Sequence, residues 1–151
     1  MTALPFPGLI PDAERMVSAF LRESPEVIAL VGDRVYCAFP ANAGNAPLVI
    51  VQRFGGAPAF SQPLILDAAD LQLDAYGGSK VVAHELVATV RGVLSTLEGL
   101  ARPEGVCSAV RFGTLAWRPD ETFTPSRPRY VADVTVHVRA RPPVPTMEVA
   151  A

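Results

Sequence analysis

Charge is scarce in this sequence. Charged residues make up 19% of the 151 residues, the net charge at pH 7 is −2, and Lys80 is the only lysine. A nucleic-acid binder needs a basic face that displaces counterions, so this class is disfavoured, although a channel that DNA merely traverses is not. A surface with few charges suggests that a partner covers part of it, while a compact soluble domain with a plain surface explains the same composition.

Residues that carry chemistry are equally few. The two cysteines, Cys37 and Cys107, lie far apart and form no CxxC motif, which predicts free buried thiols and folding in a reducing cytoplasm. His84 and His137 have no further histidine at metal-ligand spacing. No glycine-rich phosphate loop and no GxSxG motif occur. The sequence therefore predicts no enzyme and no catalytic, cofactor-binding or metal-binding residue.

Long apolar runs are absent as well. No run approaches the ~18 apolar residues that a membrane span requires. The first 16 residues contain three prolines and no basic segment ahead of an apolar one, which does not match a signal peptide. The sequence predicts no membrane partner.

The densest carboxylate group is formed by Asp67, Asp70 and Asp74. Asp70 and Asp74 share one face of a predicted strand and lie roughly 13 Å apart, which is too far for a catalytic pair. Asp70 and Asp74 are better explained as solvent-exposed residues of a strand than as a catalytic pair. Asp67, just before that strand, is predicted as a turn residue.

Two segments have the apolar spacing of helices. Residues 13–21 place apolar side chains at i, i+3, i+4, i+7 and i+8 after the N-cap Asp12. A short helical turn follows through residue 30, with Ser24 as its cap and Pro25 at its first position. A longer helix of about 18 residues begins after the N-cap Ser79. Its apolar arc is wide, as expected for a helix that lies on a sheet.

Alternating or continuous apolar runs predict five strands. They cover residues 34–39, 48–54, 70–76, 106–117 and 130–141. Gly55-Gly56 is expected to end the second strand, and Gly113 to bend the fourth. Residues 57–66 are predicted as a loop that is either a hairpin or a projecting arm.

The order helix, three strands, helix, two strands predicts an α+β fold. We expect a mostly antiparallel sheet of about five strands with two helices packed on one face, because two helices cannot cover both faces. The opposite face would meet solvent or a neighbour and would carry Asp70, Asp74, Thr135, His137 and Arg139. A single domain at residues 12–141 is predicted between an extended arm at 1–11 and a Pro-rich tail at 142–151.

Aromatic residues in the predicted loops are candidate interface anchors. Phe60 lies in the second loop, and Trp117 and Phe123 lie at or within the third. The alternative is that these side chains fold back over the edge of the core.

Several segments together resemble a known family. They are DRVY at residues 33–36, PLVIVQRFGG at 47–56, LDAADLQLDAYGGSKVVAHELVATVRGVL at 66–94 and RPRYVADVTVHVRAR at 127–141. Their order and spacing over residues 12–141 resemble the tail terminator (tail completion) proteins of long-tailed bacteriophages and related phage-like particles. The strand followed by Gly-Ser-Lys and a helix rich in Ala and Val is the most specific part.

The resemblance implies a structural virion protein without catalytic residues. Such a subunit forms a six-fold ring that caps the tail tube at its head-proximal end, stops tube polymerisation and offers a surface for head–tail joining. The implied partners are further copies of the chain, the tail tube protein and the head–tail connector or neck proteins, with DNA only passing through the lumen. Assembly would occur in the host cytoplasm and place the protein in the virion tail.

A mechanism follows from the resemblance as a hypothesis. The contacting segments would be the sheet edge and the loops at residues 40–47, 55–64 and 117–129. Arginine pairs with carboxylates through two hydrogen bonds, so Arg53, Arg111 and Arg118 are candidate specificity residues. A closed ring is heterologous, so different patches on each subunit must meet.

Three other readings of the sequence stay open. One is another head–tail connector or neck protein of the same particle, and another is a tail tube subunit, which would polymerise into long tubes. The third, from a different class, is a small ligand-binding domain or enzyme. It would need a pocket with convergent polar groups, and the sequence shows no such cluster.

Overall fold

The computed structural model describes residues 10–61 and 64–140, and this part of the chain forms three helices and six strands. The helices are α1 (Ala13–Glu23), α2 (Pro25–Val31) and α3 (Lys80–Leu94). The strands are β1 (Val35–Tyr36), β2 (Leu48–Ser61), β3 (Leu64–Tyr76), β4 (Ala101–Arg102), β5 (Gly105–Trp117) and β6 (Arg129–Arg139). Nearly all of the predicted arm and tail lies outside the described residues, so the division into one domain with two flanking segments stays a prediction.

The six strands form one sheet in the order β1-β2-β3-β6-β5-β4. The β1–β2 pair is parallel, and the other neighbouring pairs are antiparallel. The α+β class and the mostly antiparallel sheet are therefore confirmed. The element counts differ from the prediction of about five strands and two helices, because the two-residue strand β4 was not predicted and the short helical turn after Ser24 is a helix of its own, α2.

Two helices, α1 and α3, pack on one face of the sheet, as predicted. α3 lies against β3 and β6, α1 lies against β1, β2 and β3, and α2 packs on both helices. The buried strand side chains beneath them include Val51, Leu71, Leu73 and Val134. Apolar burial contributes about 25 cal/mol per Å², so this helix–sheet layer is the main source of stability.

Each helix begins at a polar side chain that caps its free N–H groups. Asp12 Oδ1 accepts a hydrogen bond from the backbone of α1 at 3.0 Å, Ser24 Oγ accepts one from α2 at 3.5 Å, and Ser79 Oγ accepts one from α3 at 3.2 Å. An N-cap of this kind stabilises a helix by about 1 kcal/mol. All three caps were predicted from the sequence and are confirmed.

β2 and β3 form a long hairpin where the sequence predicted a strand end followed by a loop. β2 runs on through Gly55 and Gly56, and its register with β3 shifts between Arg53 and Gly55, which marks a β-bulge. The predicted loop at residues 55–64 is wrong, because its described residues are strand. Pro58 is tolerated since no described strand pairs with the outer side of β2 beyond residue 50, so its missing N–H breaks no ladder bond.

Of two smaller predictions, the bend at Gly113 is confirmed, whereas the prediction of free buried thiols is confirmed in full only for Cys107. The register of β5 with β6 shifts between Phe112 and Leu115, which brackets the expected bend at Gly113. Both cysteines are free, with Cys107 buried and Cys37 half-buried. Burial raises the pKa of the Cys107 thiol to about 11, so this thiol is unreactive at neutral pH.

Candidate assembly surfaces

Arg53, a predicted interface residue, is engaged within the fold. Its guanidinium donates to both carboxylate oxygens of Asp67, at 2.5 and 2.8 Å, and these hydrogen bonds raise the pKa of Arg53. The Asp67 side chain is fully buried, whereas 28% of the Arg53 side chain is exposed. The backbone N–H of Arg53 donates to Glu14 of α1 at 2.6 Å. The prediction of Asp67 as a turn residue is wrong, because it lies within β3.

Arg111 and Arg118, in contrast, are exposed. Arg111 lies on β5 opposite Thr135, and Arg118 directly follows that strand. Within residues 10–61 and 64–140, neither side chain forms an ion pair. Both are therefore available to a partner. Phe60 lies near the end of β2, and its side chain is outside the described part of the structure.

Trp117 and Phe123 both fold back onto the protein. The Trp117 ring lies 5.3 Å from the ring of Tyr130, with Lys80 Nζ 5.0 Å from its centroid, and 36% of the residue stays exposed. Phe123 is half-buried, and its ring lies 5.6 Å from that of Phe39. Trp117 retains enough exposed ring to contact a partner, whereas Phe123 mainly fixes its own loop.

Arg127 joins the loops at residues 40–47 and 117–129 into one surface, which we call the loop surface. Its Nη2 donates to the carbonyl of Ala46 at 3.3 Å. Its guanidinium lies 5.2 to 5.8 Å from three aromatic ring centroids, those of Phe39, Tyr76 and Phe123. Each cation–π contact contributes about 0.5–1 kcal/mol. The two loops are therefore held together at the end of the sheet where β2 begins and β3 ends.

The third predicted contact segment lies at the other end of the sheet. β2 starts beside the loop surface at Leu48 and ends at Ser61, so the last described residue of β2 is separated from the loop surface by the length of the strand. A strand of this length spans roughly 40 Å. The predicted segments thus divide between two ends of one subunit.

A buried hydrogen-bond network supports the loop surface. The Tyr76 hydroxyl donates to Asp120 Oδ2 at 2.6 Å, and the backbone N–H and hydroxyl of Thr122 donate to Oδ1 at 3.1 and 2.6 Å. Burial, with the bond to Asp120, raises the pKa of Tyr76 to about 12. Burial also acts to raise the pKa of Asp120, but the bonds from Thr122 and Tyr76 outweigh it and lower that pKa.

Replacing Asp120 with asparagine should lower the free energy of unfolding at pH 7 by about 1 kcal/mol, because the amide accepts fewer and weaker hydrogen bonds. A lowered folded-state pKa means that the stabilisation is present above the unfolded pKa of ~3.9 and is lost as pH falls through the folded pKa. Urea midpoints between pH 7 and 3 should therefore fall less steeply in Asp120→Asn than in wild type. Asp33→Asn, at a loop carboxylate without side-chain bonds to described residues, is the control; equal slopes in the two variants would contradict the role of Asp120.

The sequence reading missed Arg127, Tyr76 and Phe39. Their contacts join residues from three distant segments, which no local pattern reports. The sequence offered one usable clue to Phe39 and Arg127, their positions beside the predicted loops. Phe39 directly precedes one predicted loop, and Arg127 closes the other in the run Arg-Pro-Arg.

The sheet face opposite the helices is less solvated than predicted. Asp70 accepts a hydrogen bond from the Thr135 hydroxyl at 2.7 Å. Asp74 is only 6% exposed and accepts from Gln72 at 2.8 Å, and burial raises its pKa, so its prediction as a solvated position is wrong. Phe54 borders a shallow pocket on this face with 59% of its surface exposed. This face combines polar and apolar groups that a partner can cover.

The described residues hold no group of three or more His, Cys, Asp and Glu side chains that could bind a metal ion. Within the same ranges, the helices are too short or too polar to span a bilayer. The described residues present contact surface: the loop surface, the exposed Arg111 and Arg118, and partly exposed aromatic rings.

Two of three comparisons with known proteins found a match. A family model described as tail completion protein gp17 matches residues 15–141. No curated protein sequence matches the chain significantly. A chain in a solved structure titled "Virion of native gene transfer agent (GTA) particle" is similar, with a TM-score of 0.63, 20% sequence identity, and coverage of 85% of this chain and 95% of that one. At this identity the structural match shows a shared fold.

Proposed function

The chain belongs to the family of the tail completion protein gp17, and on this basis we propose that it forms a ring capping the tail tube at its head-proximal end. The family match over residues 15–141 carries the proposal, because it includes almost all of the described fold. The protein is a structural component of a phage-type tail. In the proposed role the ring stops tube polymerisation and presents the surface for head–tail joining, and DNA only passes through its lumen.

The two ends of the subunit support this role. A terminator must contact the tube on one side and the neck proteins on the other, so it needs two unlike surfaces. The loop surface is held together by Arg127 and by the Tyr76–Asp120 hydrogen bond. The paired residues Ser61 and Leu64 lie at the far end of the same strands. Loops that are already connected by internal contacts lose less conformational entropy on docking, which favours binding to the tube or the neck.

The sheet edges support closure into a ring. No described strand pairs with the outer side of β5 over Arg111–Trp117, nor with the outer side of β2 beyond Ile50. Unpaired edges are covered or blocked in stable proteins. Glu14 and Glu98 each block one edge by accepting a backbone N–H, from Arg53 and Val110 respectively. The two remaining edge segments belong to different strands, β2 and β5, so they are different patches, as the heterologous contacts of a ring require.

The candidate residues take distinct roles in this proposal. Arg111, Trp117 and Arg118 border the open part of β5 and would contact the next subunit. Phe60 would contact a partner at the β2–β3 end, and Phe123 would shape the loop surface. Arg53 would act indirectly, by holding Asp67 and the hairpin in place.

The first experiment is light scattering of the purified protein over a concentration series, with negative-stain images of the same samples and added isolated tail tubes. Monomers or discrete rings that bind one end of the tubes support the proposal. Long tubes formed by the protein alone identify it as a tube subunit. Monomers at every concentration that ignore tube ends remove the ring proposal and favour a different neck component.

Replacing Arg118 with glutamate should raise the dissociation constant for self-association roughly tenfold, because it reverses charge beside the open β5 edge. The same is expected of Arg111→Glu. Neither change should move the free energy of unfolding by more than about 0.5 kcal/mol, since both side chains are exposed. Sedimentation velocity at several concentrations measures the association.

The control for this prediction is Arg15→Glu, which makes the same charge change at an exposed position on α1. It should leave self-association unchanged. An equal loss of association in Arg15→Glu and Arg118→Glu would show that net charge, and not the β5 edge, controls assembly.

A further inference from the structure

A cavity of about 490 Å³ opens on the loop surface. It lies between the loop at residues 40–47, the Gly77-Gly78 turn ahead of α3 and the loop at residues 117–129. Its walls combine polar side chains with rings and include Asn45, Phe123, Thr124, Pro125, Ser126 and Arg127. Arg127 is the one charged residue among the described residues that line this cavity, which we call the Arg127 pocket.

Arg127 has no ion-pair partner within residues 10–61 and 64–140. Its neighbour Arg129, in contrast, has Nη1 4.0 Å from Asp74 and 3.9 Å from Asp120, so Arg129 is the nearer arginine to these two buried acids. Neither acid lines the Arg127 pocket. The positive charge of Arg127 is therefore available to a group that enters the pocket.

The Arg127 guanidinium also has free donors. Among the described residues it donates to one acceptor, the carbonyl of Ala46, whereas a guanidinium carries several N–H groups. In the described part of the chain, buried side-chain nitrogen and oxygen atoms without a partner occur only at Arg102 and Glu104, so solvent reaches the free N–H groups of Arg127. A guanidinium pairs with a carboxylate through two parallel hydrogen bonds, so a carboxylate matches these donors.

Three aromatic rings hold the guanidinium in place before any partner binds. Their centroids lie 5.2 to 5.8 Å from the guanidinium carbon, and the rings belong to Phe39, Tyr76 and Phe123. A long side chain that is already restricted loses less rotamer freedom on binding than a mobile one. Arg127 is thus prepared to bind a carboxylate without a large entropic cost.

We propose that the Arg127 pocket receives an Asp or Glu side chain of the protein that docks on the loop surface. The carboxylate pairs with the Arg127 guanidinium, and the side chains of Asn45, Thr124 and Ser126 at the pocket supply further hydrogen-bond donors. The identity of the docking protein, as the tail tube protein or a neck protein, rests on the proposed function. The chemistry of the pocket does not.

A nucleic-acid phosphate is the other anion that an arginine binds. Nucleic-acid binding needs a basic face that neutralises several phosphates, whereas the described residues around the pocket supply a single cation and the chain carries a net charge of −2. A protein carboxylate needs only one guanidinium. An acidic side chain is therefore the favoured occupant, and phosphate enters the test as the competing one.

The first test uses purified wild-type protein and small probes, so it depends on no variant and on no ring. N-acetylglutamate, N-acetylglutamine and inorganic phosphate are titrated at constant ionic strength, and proton–nitrogen correlation spectra follow Arg127 Nε and the backbone amides of Thr124 and Ser126. N-acetylglutamate should shift these resonances saturably, with a Kd at least about fivefold below that of N-acetylglutamine, because only the acid pairs with the guanidinium.

The second test is Ser126→Glu, which places a carboxylate at the border of the pocket. This carboxylate competes for Arg127 and removes none of its contacts with the three rings or with Ala46. The change should weaken N-acetylglutamate binding, and docking on either isolated tail tubes or isolated heads, roughly tenfold. The control is Ala88→Glu, which adds the same charge at an exposed position of α3 and should weaken neither.

Three results would overturn the proposal. One is equal binding of N-acetylglutamate and N-acetylglutamine, or no shift at Arg127. Another is tighter binding of phosphate than of N-acetylglutamate, which would assign the pocket to a nucleic acid. The last is docking by Ser126→Glu that equals docking by Ala88→Glu on both tubes and heads. Wild-type protein that docks on neither tubes nor heads would contradict the proposed function instead, and the probe titration would still decide the chemistry of the pocket.

Discussion

Replacing Arg53 with alanine should lower the free energy of unfolding by about 3 kcal/mol at pH 7. The change leaves the fully buried carboxylate of Asp67 without its two charge-assisted hydrogen bonds. Removing one partner of a buried ion pair typically costs ~3–5 kcal/mol. The lower end of that range applies here, because 28% of the Arg53 side chain is exposed and water can approach the site. Urea titration followed by circular dichroism measures the loss.

The matched controls for Arg53 are Arg111→Ala and Arg118→Ala, two exposed arginines of the same predicted set. Each should change stability by no more than about 0.5 kcal/mol. The double variant Arg53→Met with Asp67→Leu should recover most of the loss, because it removes the buried charge together with its partner. If Arg53→Ala loses no more stability than Arg118→Ala, the Arg53 guanidinium does not stabilise the buried carboxylate of Asp67.

The ion pair also shows why sequence reasoning misplaced Asp67. The pattern assigned a strand end to Gly55-Gly56, and that assignment put Asp67 in a loop. In the structure both strands of the hairpin run past these positions, so Arg53 and Asp67 lie on adjacent strands. Two strand boundaries, the end of β2 and the start of β3, were therefore predicted wrongly, and this hid the pairing of Arg53 with Asp67 and led to the interpretation of Asp67 as a turn residue.

Features that depend on local spacing were predictable. The N-caps Asp12, Ser24 and Ser79 sit next to the helices that they cap, and the alternation along β6 separates its two faces directly. Contacts between distant segments were not predictable. Arg127 meets Phe39 and Tyr76 only because the sheet brings the end of β1, the end of β3 and the start of β6 together. The candidate assembly surfaces depend on such contacts, so the sequence could name loops but could not show that two of them form one surface.

Replacing Gly56 with alanine should lower the free energy of unfolding by about 3 kcal/mol, the other large effect expected in this protein. Gly56 has a φ of 83°, which L side chains rarely adopt. An added Cβ would lie 2.0 Å from the carbonyl oxygen of Ala68 and 2.9 Å from the backbone nitrogen of Asp70. Both contacts are backbone atoms of β3, so the hairpin register itself would have to change.

The neighbouring glycine is the control for this prediction. In Gly55→Ala the added Cβ would meet only the Asp70 side chain, at 3.4 Å, and the residue has no positive φ. That change should alter stability by no more than about 0.5 kcal/mol, since it also restricts the unfolded chain. Comparable losses in Gly55→Ala and Gly56→Ala would mean that any side chain at the bulge is harmful and that the close approach to Ala68 is not the cause.

The bulge and the ion pair should be energetically coupled. Arg53 Nε donates to the carbonyl of Gly55 at 3.0 Å, and Asp67 directly precedes Ala68, the residue that an alanine at position 56 would displace. If Gly56→Ala displaces β3, it already weakens the Arg53–Asp67 ion pair. The double variant Gly56→Ala with Arg53→Ala should therefore lose at least about 1 kcal/mol less free energy of unfolding than the sum of the two single losses. Additive losses would show that Gly56 stabilises the hairpin independently of the Arg53–Asp67 ion pair. A coupling of the expected sign would show that the bulge also fixes Arg53 opposite its carboxylate, so that the two features stabilise the hairpin as one unit.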